Sequence, residues 1–414
     1  MNHNLKSKSI KNILGAILMV AASTSAYMVL SNYLLPVSAA IQADISTLSL
    51  IFTFASVSTI IASMFLGKLM QKIRVRVLIS VAIVCFIAFF VTLAVADNVT
   101  IILTGAVLFG ISMAFGGFGL AMTVISWWAD RKIVGRAMSG LTIGIGVFSF
   151  ISSPIVAGCI EKYGRVTALY HGVICGVIML IATLFLISEH PNRYRSSDTR
   201  PADLESNSAA AVNIPGVPLG KILKTAPFWL AMLAIVSINT ATTGFTNNAS
   251  AFYQTFGVNA VKASYGISIF SVAKLFWSYL FGWLVDKRGL GVGTFVTGFF
   301  GVLTYIAGLF LSGFEGMVIM AAFASSLNFG GSLGSLLFPA LYGGKESGTL
   351  IGWSNAASSV GTMLGAPIAA SILTTTGNFN RFLIIAACLV LLCIVLIPYV
   401  SSKSTMEKMK QLQE

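Results

Sequence analysis

Lys274 sits where a charge is costly. It falls near the middle of an apolar run from about Ser264 to Val285, inside the stretch SVAKLFWSYLFGWLVDKRG (Ser271–Gly289). Ten helical residues rise ~15 Å, much further than a lysine stem can snorkel. In hydrocarbon such a lysine costs roughly 2.5–3.5 kcal/mol. Three roles would offset that cost. The ammonium could bind an anionic substrate in a wet central cavity. It could be structural, capped by carbonyls and waters. It could be a proton-coupling site, alone or together with the first role. An internal carboxylate partner is missing: Asp44, Asp97, Glu161 and Glu315 fall beyond one set of segment ends and the remaining acids beyond the other. On an ideal helix Ser264, Ser268, Ser271, Lys274, Ser278 and Gly282 share an arc of roughly 120°, a small polar face suited to look inward.

Tyr27, Asn239, Asn328, Trp353 and Asn355 lie at comparable depth and are the other candidate substrate contacts. Each taken alone reads more readily as packing or cavity lining than as a ligand contact. Asn239 and Asn328 stand out because an amide has two ends to satisfy. Asp286, Lys287, Arg131 and Arg136 sit at segment ends, where by themselves they read as topology-setting charge. His171 reads as an interfacial residue near the end of its segment. With 3 histidines scattered and no interior acid, no nucleophile–base or metal cluster forms, so an enzyme, a metal site and a cofactor are not expected. The 5 cysteines lie in apolar segments without CxxC spacing and read as small core hydrophobes.

The elements that position these groups are membrane helices. The 414 residues are 56% hydrophobic and only 9% charged, against about 25% charged in soluble domains. Twelve apolar segments are predicted, at roughly 13–36, 46–67, 75–96, 100–124, 137–159, 167–188, 226–251, 264–285, 291–312, 316–341, 348–374 and 381–400. The net charge of +13 reflects topology, not a nucleic-acid partner. With the N-terminus in the cytoplasm, only Lys162, Arg165, Lys262 and Arg381 fall outside; every other Lys and Arg except Lys274 falls inside. That asymmetry places both termini in the cytoplasm of a cell (cytoplasmic) membrane. The first segment contains AASTSA but continues past it to Pro36, so it reads as an uncleaved helix.

The chain divides into an N-terminal half, 1–190, a polar Ser- and Pro-rich cytoplasmic linker, 191–220, and a C-terminal half with a short tail, 221–414. The halves repeat in register. GKLMQK from Gly67 answers GWLVDK from Gly282, and FGG at Phe115–Gly117 answers FGG at Phe329–Gly331. Gly135, Pro154 and Gly164 answer Gly348, Pro367 and Gly377. A duplicated six-helix unit with a site at the interface is a transporter architecture. The FGG glycines read as close helix packing, not as phosphate loops. Segments 1, 7 and 10 carry STSAYMVLSNY, SINTATTGFTNN and SSLNFGGS, whereas segments 3, 6, 9 and 12 are apolar almost throughout and should face lipid.

On these landmarks the chain resembles the major facilitator superfamily. GWLVDKRG (Gly282–Gly289) is close to the family's loop signature G-x-L-x-D-R/K-x-G. GKLMQKIR departs further, with Gln71 in place of the acid and Arg74 in place of a Gly. WWADRKIVGRAMSGLTIGIG (Trp127–Gly146) and APFWLAML resemble the monocarboxylate and oxalate:formate branch. The resemblance implies an all-α membrane fold of two pseudo-symmetric six-helix halves, with segments 1, 4, 7 and 10 around the path. It also implies a basic substrate residue in segment 8, commonly at the position of Ser278, one turn from Lys274, and lets the segment-end charges Asp286, Lys287, Arg131 and Arg136, Asp286 first, latch the halves in one state as an alternative to setting topology. A segment-11 lysine found in some members is absent from NAASSVG (Asn355–Gly361).

The expected function is secondary transport of a small organic anion, a monocarboxylate first, by alternating access around Lys274. A proton or counter-anion could be coupled. The expected partners are that substrate and the lipid bilayer, with the protein a monomer. The alternatives are a multidrug or other small-molecule exporter of the same superfamily, and a transporter-like sensor.

Overall fold

The computed structural model describes residues 3–128, 134–188, 217–343 and 346–411, and these are almost entirely helical. Among the described residues, eleven stretches are long and apolar enough to cross a membrane. One of them, Ala137–Leu186, is 50 residues long. At 1.5 Å per residue that is far more than one bilayer thickness. It holds two crossings, α7 (Val134–Tyr163) and α8 (Thr167–Ile181), joined by the tight turn Gly164–Val166. Twelve spans result.

The spans are not equally regular. The second, third and fifth are the single helices α3 (Ile45–Lys72), α4 (Val75–Val95) and α7. The first and fourth are each broken in two: α1 (His3–Val29) with α2 (Ser31–Ile41), and α5 (Val99–Gly116) with α6 (Phe118–Trp128). After a short helix α9 (Leu219–Ile222), the second half repeats the scheme. Its seventh span is broken into α10 (Ala226–Asn247) and α11 (Ala249–Gln254), and its tenth into α14 (Gly313–Ala324) and α15 (Leu333–Tyr342). A 3₁₀ segment, Ser325–Gly331, separates the last two. The eighth, ninth, eleventh and twelfth spans are the unbroken α12 (Ala260–Arg288), α13 (Leu290–Ala307), α16 (Ser347–Thr376) and α17 (Asn380–Val400); α18 (Lys403–Gln411) follows.

The broken spans carry the polar segments of the sequence, and side chains occupy the freed backbone groups. Asn248, at the α10–α11 break, donates from Nδ2 to the carbonyls of Gly244 (3.0 Å) and Ala366 (3.1 Å). Ser23 donates to the Gly116 carbonyl beside the α5–α6 break (2.9 Å). The FGG pairs therefore do more than permit close packing. A Cβ on Gly117 would lie 2.2 Å from the Met113 carbonyl, and the second FGG closes the 3₁₀ segment.

The pairings inside the two halves match. α1 packs on α7 as α10 packs on α16; α4 packs on α8 as α13 packs on α17. Close approach in the second half relies on Gly361 and Gly365, four residues apart on α16. A Cβ there would come within 2.6 and 2.5 Å of the Val236 and Thr240 carbonyl oxygens of α10, respectively. Between halves, α7 packs on α12, α3 on α16, and α2 on α11.

The signature loop after α12 ends on Gly289, whose φ of +88° suits glycine and whose N–H caps the Val285 carbonyl.

Candidate functional site

Lys274 is the central residue of the 29-residue α12, so the helix carries its charge to mid-span. It is partly buried and faces a cavity of about 10 Å³, room for about one water. The walls come from both halves: Met28 of α1; Thr142, Ile145, Gly146 and Ser149 of α7; Phe270 and Ser271 of α12. Among the described residues Lys274 has no hydrogen-bond or ion-pair partner; the ion pair present there is Arg165–Asp97, near the α7–α8 turn.

The polar face of α12 meets a matching face of α7. Ser268 donates to the Phe150 carbonyl (2.8 Å), and Ser153 donates to the Ser264 carbonyl (3.1 Å). At Gly146 the helices approach so closely that a Cβ would lie 3.2 Å from the Ser271 carbonyl oxygen. Thr53 of α3 donates to Met363 of α16 (2.8 Å) on the other side of the interface. These inter-half bonds lie from Lys274 toward the end of the bundle away from the basic loop that follows Asp286–Arg288, the last turn of α12. Toward that basic loop, Ser278 and Tyr279 of α12 and Trp353 and Asn355 of α16 are exposed.

The remaining sequence-predicted contacts are spread around this centre. Tyr27 adjoins the cavity residue Met28, accepts from Asn247 of α10 (3.3 Å), and stacks on Phe109. Asn239 donates to the Ile235 carbonyl (2.8 Å) and to Ser358 (3.3 Å), so it ties α10 to α16. Asn328, in the 3₁₀ segment, donates to Ser278 (3.4 Å), one turn from Lys274. Trp353 packs edge-on to Phe228, and the Asn355 carbonyl accepts from Ser359. Only Lys274 of the six lines the cavity.

Of the predicted latch residues, Asp286 is exposed and, among the described residues, has no ion-pair partner. Lys287 lies over the Trp283 ring, 5.0 Å from its centroid. Arg131 lies outside the described residues, and Arg136 falls in the first turn of α7 with its side chain outside them.

Two features differ from the sequence reading. His171 is buried, not interfacial: its Nδ1 is 3.1 Å from the Tyr33 hydroxyl and its ring packs on Phe90. The α7 wall of the cavity was also missed. Thr142, Gly146, Ser149 and Ser153 follow the four-three-four spacing of one helical face, which was there to be read.

The Major Facilitator Superfamily profile matches residues 15–342. The chain belongs to the Major Facilitator Superfamily. Its apolar spans make it a multi-pass membrane protein of this transporter family. It is similar to the oxalate:formate antiporter of Oxalobacter formigenes, 25% identical over 283 residues, 65% of this chain and 62% of that protein. The chain thus spans less than two thirds of that relative. It is equally similar to the uncharacterized MFS-type transporter YhjX of Escherichia coli (strain K12), at 25% over 319 residues, 73% of this chain and 72% of that one. Among solved structures, a mutant of the nucleoside transporter NupG superposes with a TM-score of 0.73 at 12% identity, covering 95% of this chain and 98% of that one. A bacterial homolog of the human lysosomal transporter Spinster, in an inward-facing and occupied conformation, gives 0.63 at 14%, covering 98% and 96%. At these identities the two structures speak for the fold alone.

Proposed function

We propose that this protein is a secondary transporter of a small organic anion, a monocarboxylate, by alternating access around Lys274. The observation that carries the reading is the cation itself: it is at the centre of α12, faces a cavity walled by both halves, and is unpartnered among the described residues. An unpaired mid-span ammonium is costly, and an anion that neutralises it in one step of the cycle recovers that cost. Similarity to an oxalate:formate antiporter supports a carboxylate. In the same reading the basic loops face the cytoplasm of the cell membrane, 191–220, of which 191–216 lie outside the described residues, links the halves, and Asp286 latches the basic end in the alternate state.

The test is a thermal-shift screen of the purified protein with small carboxylates, neutral sugars and lipophilic cations, run beside Lys274→Gln. Ligands that bind the folded state raise the midpoint. Stabilisation of the parent by a carboxylate, lost in Lys274→Gln, is expected. A shift with cations or neutral compounds only, or an equal response in the variant, rejects the reading. Flux of the active carboxylate into proteoliposomes then separates a transporter from a sensor.

A further inference from the structure

Ser149 has a feature that packing does not require. A hydroxyl in an apolar helix ordinarily satisfies itself on the preceding turn. Here Ser271 donates to Ile267 (2.8 Å), Ser237 to Leu233 (2.8 Å) and Thr297 to Gly293 (2.8 Å). Ser149 is fully buried and its Oγ has no partner. A buried polar group without a hydrogen bond is destabilising. It lines the same small cavity as Lys274, from the opposite half of the molecule. Two unsatisfied groups, an ammonium and a hydroxyl, thus face one void across the α7–α12 seam.

A carboxylate matches that pair. One oxygen takes the ammonium; the other accepts from the hydroxyl, and bonds of this charge-assisted kind are the strong ones. The rest of the lining describes the remainder of the ligand. Met28, Ile145 and Phe270 are apolar, and Thr142 is the one other side-chain hydroxyl not committed to its own helix. A second carboxylate would meet no second cation, because among the described residues Lys274 is the only formal charge in the interior of the spans. Room is short: in this state about one water fits, and the Gly146–Ser271 approach bounds the cavity on one side.

Resting on the anion-site reading above, we infer that Ser149 is the second ligand of the carboxylate and that the site selects short aliphatic monocarboxylates, held between α12 and α7. The anion then bridges the two halves at a point where the protein makes no bond of its own.

The experiment measures the midpoint of thermal unfolding against acetate, propionate and oxalate, with calorimetric titration of propionate. The proteins are the parent, Lys274→Gln, Ser149→Ala and Ser149→Cys. Both Ser149 variants preserve the small volume, so if one fails to fold the other still answers. Loss of one hydrogen bond to a charged group corresponds to binding about 10- to 100-fold weaker. That loss in the Ser149 variants, with a silent Lys274→Gln and propionate favoured over oxalate, is the expected result. Ser149 variants that bind propionate like the parent, beside a silent Lys274→Gln, overturn this inference and leave the anion site standing. Oxalate favoured over propionate overturns the assigned selectivity. A parent that responds to no carboxylate overturns both.

Discussion

Ser153 of α7 joins the two halves through Ser264 of α12: its hydroxyl donates to the Ser264 carbonyl (3.1 Å) while accepting from Asn32 of α2 (3.2 Å). With the Ser268–Phe150 bond one turn along, this relay holds the seam closed on the side of Lys274 away from the basic loop. A net contribution of about 1 kcal/mol per bond makes Ser153→Ala a shift of roughly fivefold toward the state open on that side. Reactivity of a cysteine placed at Ser268 toward a membrane-impermeant thiol reagent should rise accordingly, and an unchanged rate would show that the relay does not govern closure.

Gly146→Ala tests the tightness of the same seam. The added methyl would stand 3.2 Å from the Ser271 carbonyl oxygen, a backbone atom that cannot rotate away. Overpacking of this kind costs about 1–3 kcal/mol. The cost falls on the conformation seen here and not on one in which α7 and α12 have parted. Distances between spin labels on α7 and α12 should therefore shift to longer values, with little loss of folded protein.

Lys274→Gln is expected to raise the unfolding midpoint in the absence of ligand. The substitution removes an unpaired charge whose insertion cost is roughly 2.5–3.5 kcal/mol, and it breaks no bond described for the parent. A lower midpoint would mean that the ammonium is held by carbonyls and waters, the structural alternative.

Asp286→Asn addresses the basic end. The residue is exposed and unpaired among the described residues in this state, so folding of this state should be unaffected. If Asp286 latches the alternate state, the variant favours openness toward the basic loop and lowers transport turnover. Wild-type turnover would leave Asp286 with a topological role only.

Tyr33→Phe is a stability test that removes no bond across the seam. It removes the 3.1 Å contact to His171 Nδ1, and His171 Nε2 already has no partner. A buried ring left without hydrogen bonds costs about 1–3 kcal/mol, so the midpoint should fall while carboxylate responses persist.

How much of this was legible in advance differs by level. The spans were legible because their run lengths match a bilayer, and the halves because landmarks such as Pro154 and Pro367 repeat in register. The mid-span position of Lys274 followed from counting along one helix. Its neighbours did not, because the rotation of α7 against α12 is fixed by packing such as the Gly146–Ser271 approach, which no single-helix projection contains. Depth alone grouped Trp353 and Asn355 with Lys274, although they stand on α16, where Trp353 packs on Phe228 of α10. His171 looked interfacial because position along a span gives depth and not facing. Its burial depends on Tyr33 and Phe90, which come from two other spans.

The defined bonds across the closed seam join hydroxyls, an amide and carbonyls, with no ion pair among them. Dissolved salt weakens contacts between exposed charges and leaves buried neutral bonds nearly untouched. Closure at this end should then be the same in dilute and concentrated buffer, whereas closure at the basic end, if it engages Asp286, should weaken as ionic strength rises. The balance between the two access states would be set by the solution on one face of the membrane only, a directional sensitivity written into which end of the bundle carries its charges.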